Sequence, residues 1–223
     1  MQLFDGIRNR FLAGEPVLDR RRPNGRPLTN YFSPRSPSPR QYIGDALVPI
    51  LRPGLSQDFL LGIKDNAAFT SMIPAILERP GFRVLAVVRD PVATLLSQQS
   101  VDLPIAQGRL PGAEPLWPEL ALVTGSSLDI VEKQIRIHDL FCQRYALYLQ
   151  RIAIIKYEEI LTSPARLFAV AGIPSPQPMP DLISPAPNTP SDNVLRTLIE
   201  NRVRRLAQNG ELPGICRFYP SYC

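Results

Sequence analysis

Apolar positions along this chain fall into two kinds of run, short unbroken ones and longer ones that recur every three or four residues. The unbroken runs predict strands covered on both faces, and the periodic ones predict helices with a single buried stripe. Residues 58–63, 83–88 and 152–156 are of the first kind. Between the first two, Phe69, Met72, Ile73, Ile76 and Leu77 keep helical spacing. Pro74 is tolerable there if the helix begins near Ser71, because a first turn needs no amide donors. This predicts a βαβ unit with parallel strands and a right-handed crossover. Leu128, Val131, Ile135, His138, Cys142, Tyr145 and Leu149 form the seam of a long helix with Ser127 as its cap. A short helix over residues 42–51, one between Ser163-Pro164 and Gly172, and an amphipathic one over residues 192–208 complete the pattern.

The most informative stretch is FRVLAVVRDPVATLLS, residues 82–97, where a buried strand runs directly into a helix start. Asp90 has an N-cap side chain and Pro91 suits the first helical position. The turn therefore lies at the carboxyl end of what reads as a central strand, where α/β sheets bind ligands. The free N–H groups of a helix N-terminus, with the fixed charge of Arg89, suit an anion such as a phosphate. Ser97 lies two turns into the helix, its side chain leaning back toward that end. Spacing alone leaves a second reading open, in which Arg89 is a surface arginine and Ser97 an incidental helix serine.

Composition places the 223 residues among globular proteins, with a formal charge of +5. Residues 1–40 hold eight arginines against three acids, so the excess belongs to an Arg/Pro/Ser-rich head that reads as poorly ordered. Residues 41–223 read as a single domain, interrupted by a proline-rich linker over 173–191. The head lacks the interleaved aromatics of a nucleic-acid binder, and none is expected. Cys142, Cys216 and Cys223 are too few for a disulfide framework or zinc site, so a reducing, cytoplasmic setting is the simpler inference; a Cys216–Cys223 bridge stays open. No run is long and apolar enough for a membrane span. The segment 100–125 around Trp117 reads either as an acceptor-binding loop or as a packed surface loop. His138 lies on an apolar seam, where a core histidine is the better reading than a base.

Arg-Asp-Pro with a serine eight residues after the arginine, following a buried strand, resembles the 3′-phosphate-binding motif of sulfotransferases that use 3′-phosphoadenosine 5′-phosphosulfate (PAPS). Two further segments are similar to that family. LLGIKDNAAF resembles a strand ending in a lysine, here Lys64, twenty-five residues before Arg89, and IAIIKYEEILTSPARLFAVAGIP resembles the strand and Tyr-Glu turn whose tyrosine, here Tyr157, contacts adenine. The resemblance covers residues from about 59 to 174. It implies a P-loop-type parallel sheet flanked by helices, with PAPS as sulfonate donor and a hydroxyl or amine on a small molecule or carbohydrate as acceptor. Arg89, Ser97 and Tyr157 would hold the cofactor.

The family's glycine-containing phosphosulfate loop is degenerate or missing. Its nearest counterpart is Pro34-Arg35-Ser36, where Pro37 stands in place of glycine and can neither donate nor take positive φ. The fold is thus expected to be N-terminally incomplete. Lys64, one of three lysines, would neutralise charge on the leaving phosphate, with a solvent-facing lysine as the alternative. Asp65 is the candidate base, a poor one if exposed; Asn66 stands where cytosolic members carry histidine. The expected function is sulfonate transfer from PAPS by a truncated or weakly active enzyme, the alternative a non-catalytic, nucleotide-binding protein of the same fold.

Overall fold

The computed structural model describes residues 2–20, 47–52, 54–175 and 190–223. Its elements in chain order are α1 (Gln2–Leu12), β1 (Val17–Arg20), β2 (Leu47–Ile50), α2 (Asn66–Ser71), α3 (Ile73–Leu77), β3 (Leu85–Val88), α4 (Pro91–Gln99), α5 (Pro118–Gly125), α6 (Ile130–Leu147), β4 (Ala153–Lys156), α7 (Tyr157–Thr162), α8 (Ala165–Ala171), α9 (Pro190–Gln208) and α10 (Pro213–Phe218). The architecture is mixed α/β and mostly helical. The chain divides into two compact units, Met1–Asp65 and Asn66–Cys223.

In the first unit β1 and β2 pair antiparallel, Val17 opposite Ile50. The head is therefore structured over residues 2–20, where composition predicts little order. Residues 47–50 form β2 where a helix is expected, because Pro49 inside a short run breaks a helix but is tolerated on the edge of a two-stranded ladder. Residues 42–46 of that predicted helix, the Pro34–Pro37 segment and most of the 173–191 linker lie outside the described residues. No strand forms over residues 58–63. One carbonyl of this stretch is taken by Arg8, which donates to Phe59 O at 2.7 Å and, just before the stretch, to Gln57 O. The Arg8 guanidinium also covers the Phe59 ring, 4.5 Å from its centroid. The predicted βαβ unit is accordingly absent, and Lys64 follows coil.

In the second unit β3 and β4 pair in parallel, Leu85 opposite Ala153 and Val88 opposite Lys156. Among the described residues this sheet has two strands only, so residues 83–88 do not supply a central strand. Burial alternates along β3, with Ala86 and Val88 buried while Leu85 and Val87 are 37% and 44% exposed. An unbroken apolar run reads as doubly covered, but only its even positions are sealed here. The expectation of an extensive sheet flanked by helices thus reduces to one parallel pair among helices.

The core of this unit is helical. Leu95 of α4, Ile135 and Cys142 of α6, Ile199 and Val203 of α9 and Ile215 of α10 pack in one buried cluster with Val88. The predicted seam of α6 is the face that enters it. The helix starts later than expected, with Asp129 rather than Ser127 as cap; its carboxylate accepts the Glu132 N–H at 3.0 Å. α2 and α3 share the predicted 69–77 helix, interrupted at Met72 just before Pro74. Within 100–125, Trp117 is 3% exposed and stacks on Phe141 at 5.7 Å, so this segment carries a small core of its own and does not display its indole to solvent.

Candidate functional site

The chain reverses from β3 into α4 through Arg89 and Asp90, and from β4 into α7 through Lys156 and Tyr157. The two strands are parallel and in register to their last residues, so Arg89 and Tyr157 emerge side by side at the same sheet end. The Arg89 guanidinium lies over the Tyr157 ring, 4.7 Å from its centroid. A cation over an aromatic face is attracted by the ring quadrupole and remains able to donate at its edge. Among the described residues Arg89 has no carboxylate partner. Its donors stay available to an anion.

Asp90 caps α4 as expected, its Oδ1 accepting the Ala93 N–H at 2.8 Å. That cap changes the anion argument. Pro91 has no N–H, the Ala93 N–H goes to the Asp90 side chain, and the Thr94 N–H goes to Asp90 O at 2.9 Å. The helix end is already largely served by a carboxylate, so an anion at this turn would rely on Arg89 and the Val92 N–H alone. Ser97 lies on α4, partly buried, and no hydrogen bond joins its hydroxyl to Arg89. The structure brings Arg89 and Tyr157 together and leaves Ser97 two turns away along the helix. Lys64 and Asp65 belong to the first unit, where both side chains are exposed.

Four further residues build this sheet end. Glu158 accepts the Asp90 N–H on Oε1 at 2.9 Å, tying the β3 turn to the start of α7. Tyr219 donates to Glu158 Oε2 at 3.0 Å, and Tyr222 donates to Asp90 Oδ2 at 2.7 Å. Burial and the neighbouring carboxylates push both phenols up, so they remain protonated donors. His138 of α6 faces the same turn. Burial pushes its imidazole down to about 4, against the opposing pull of Asp90, the Arg89 backbone and Glu158. It is neutral near pH 7, and its Nε2 is buried without a hydrogen-bond partner among the described residues. This supports the core-histidine reading.

Sequence reasoning missed Glu158, Tyr219 and Tyr222. Glu158 had a signal, since it follows Tyr157 as Asp90 follows Arg89. The tyrosines had a weaker one in their position between Cys216 and Cys223, which are disulfide-bonded with Cα atoms 5.9 Å apart. The bridge departs from the reading of reduced thiols; only Cys142 is free, and it is buried. Among the described residues no His, Cys, Asp or Glu cluster could hold a metal ion, and no helix is long and apolar enough to cross a membrane.

No protein-family model, curated protein or solved structure matches this chain.

Proposed function

We propose that the second unit binds the adenosine 3′-phosphate half of a nucleotide at the ends of β3 and β4, and that the chain is a sulfotransferase-like protein whose donor is PAPS. The observation that carries this reading is the Arg89–Tyr157 pair, a guanidinium without a carboxylate partner among the described residues, set over an aromatic ring at the carboxyl ends of two parallel strands. Arg89 would grip the 3′-phosphate with its fork, and Tyr157 would contact the flat base. Sulfonate transfer to a hydroxyl or amine would also need a cation to balance charge on the departing phosphate and a base to take the acceptor proton.

A non-catalytic nucleotide-binding role is the second reading. It is favoured by the exposure of Lys64 and Asp65 on coil, since groups that balance charge act most strongly where water is excluded. Calorimetric titration with adenosine 3′,5′-bisphosphate, followed by a transfer assay with PAPS, tests both. Binding that Arg89→Ala abolishes supports the site. Transfer to any of a panel of sugars, phenols and amines selects the enzyme, and its absence alongside binding selects the second reading. No binding up to millimolar nucleotide overturns both.

A further inference from the structure

The two residues proposed to grip the nucleotide are each followed by an acid, and each acid is held by one tyrosine of the same short loop. Asp90 follows Arg89 and accepts the Tyr222 hydroxyl; Glu158 follows Tyr157 and accepts the Tyr219 hydroxyl. Cys216 and Cys223, seven positions apart, close that loop on itself. From this geometry we infer that the C-terminal disulfide loop is a redox-set clamp that fixes Arg89 and Tyr157 in their facing arrangement. The inference rests on the proposed nucleotide site for its consequence, but the clamp is defined by hydrogen bonds whose loss is measurable without nucleotide.

The loop is held from both sides. Its leading helix α10 is pinned by Ile215 N–H donating to Asp139 Oδ1 at 2.7 Å, well inside the core. Beyond Phe218 the contacts are more exposed. Arg204 donates to Ser221 O at 3.1 Å and lies over the Tyr222 ring at 5.2 Å, while Lys156 Nζ lies 4.9 Å from the Tyr219 ring centroid. Residues 219–223 thus form a short turn beyond α10 that the Cys216–Cys223 bridge ties back to that helix. Tyr219 and Tyr222 are only 9% and 8% exposed, and their hydroxyl hydrogen bonds are part-buried.

Reduction by a dithiol breaks the Cys216–Cys223 bond and leaves two thiols, the reductant supplying two electrons and two protons and becoming a disulfide. Residues 219–223 then gain freedom, and the two tyrosine hydroxyls leave Asp90 and Glu158. Glu158 keeps the Asp90 N–H with one restraint fewer, and the turns bearing Arg89 and Tyr157 open more often. The bound arrangement becomes a smaller fraction of the population, which weakens apparent affinity by that fraction.

The test follows amide hydrogen exchange at Asp90 and Ala93 in the nucleotide-free chain, before and after reduction by dithiothreitol. Thiol titration of the denatured protein, rising from one group to three, confirms that the bridge has opened. Exchange at both amides is expected to quicken about tenfold, the size of one lost hydrogen bond to a charged group. Tyr219→Phe with Tyr222→Phe should reproduce this with the bridge intact. Unchanged exchange at Asp90 and Ala93 in the fully reduced native protein overturns the clamp, even if the double variant fails to fold. Calorimetry with adenosine 3′,5′-bisphosphate on both forms separates the two ideas. Faster exchange without nucleotide binding in either form leaves the clamp standing and sinks the nucleotide reading; equal affinity in both forms, with binding present, sinks the clamp's control of the site.

Discussion

The carboxylate of Asp139, in the middle of α6, accepts the backbone N–H of Ile215 at 2.7 Å and so caps the first turn of α10 from another helix. Its other oxygen accepts Gln143 Nε2 at 2.6 Å. Burial raises the Asp139 carboxyl above its ordinary 3.8, against those hydrogen bonds. The folded state therefore binds the proton more tightly than the unfolded chain. This group's contribution is most favourable below 3.8 and declines as pH rises through the raised value. Asp139→Asn should remove that slope from a urea-unfolding series across pH 3–7. Asp139→Ala, which orphans the Ile215 amide, should cost about 1–3 kcal/mol.

Gly214 lies against the same stretch of α6. A Cβ there would stand 2.3 Å from Asp139 O and 2.6 Å from Gln143 N, both backbone atoms of a packed helix. Since neither can yield, Gly214→Ala should destabilise the second unit by about 1–3 kcal/mol, or more, through forced separation of α10 and α6. A melting temperature within a degree of the parent would show that α10 is not seated as described.

Glu114 is gripped by Arg109 through Nε at 2.9 Å and Nη2 at 2.7 Å, and also accepts the Leu110 N–H at 2.8 Å. The Arg109 fork is the main reason its carboxyl falls from 4.5 to about 2. A depressed acid contributes stability that is complete above its unfolded pKa and is lost as pH falls toward the folded one. Glu114→Gln should therefore be less stable than the parent at neutral pH, with the gap closing between pH 4.5 and 2. A gap that persists at pH 2 would assign the effect to packing.

For the proposed nucleotide site, Tyr157→Ala should weaken binding of adenosine 3′,5′-bisphosphate by about 1–3 kcal/mol, the scale of base–aromatic contacts. Arg89→Lys should not rescue Arg89→Ala, because an ammonium lacks both the planar fork and the stacking face. Ser97→Ala should matter less than either, given its distance along α4. Equal losses for Ser97→Ala and Arg89→Ala by calorimetry would return Ser97 to the phosphate.

How much of this was legible follows from the range of the interactions involved. Local signals survived: Asp90 before Pro91 reads as a cap and is one, and Ile135, Cys142 and Tyr145 of the predicted α6 seam are buried. What failed depended on partners elsewhere in the chain. Residues 58–63 have strand composition, but Arg8 takes the Phe59 carbonyl within them and the Gln57 carbonyl just before, and no local pattern connects Arg8 to either. The apolar run at 83–88 marks a strand correctly and says nothing of how many neighbours it has. Tyr219 and Tyr222 look like ordinary aromatics near a chain end, and their role appears only when the fold carries them to Asp90 and Glu158.

The bonds that assemble this sheet end close loops of 68, 61 and 132 residues. Long closures lose chain entropy before any contact repays it, whereas the 18 residues of α6 can turn helical from neighbours alone. The expected order of assembly is α6 first, the meeting of β3 and β4 afterwards, and the facing of Arg89 and Tyr157 among the last features. In a stopped-flow refolding experiment, far-ultraviolet ellipticity should recover in a faster phase than protection of the Asp90 amide by pulse labelling. Simultaneous recovery of the two signals would mean that this corner is part of the folding nucleus.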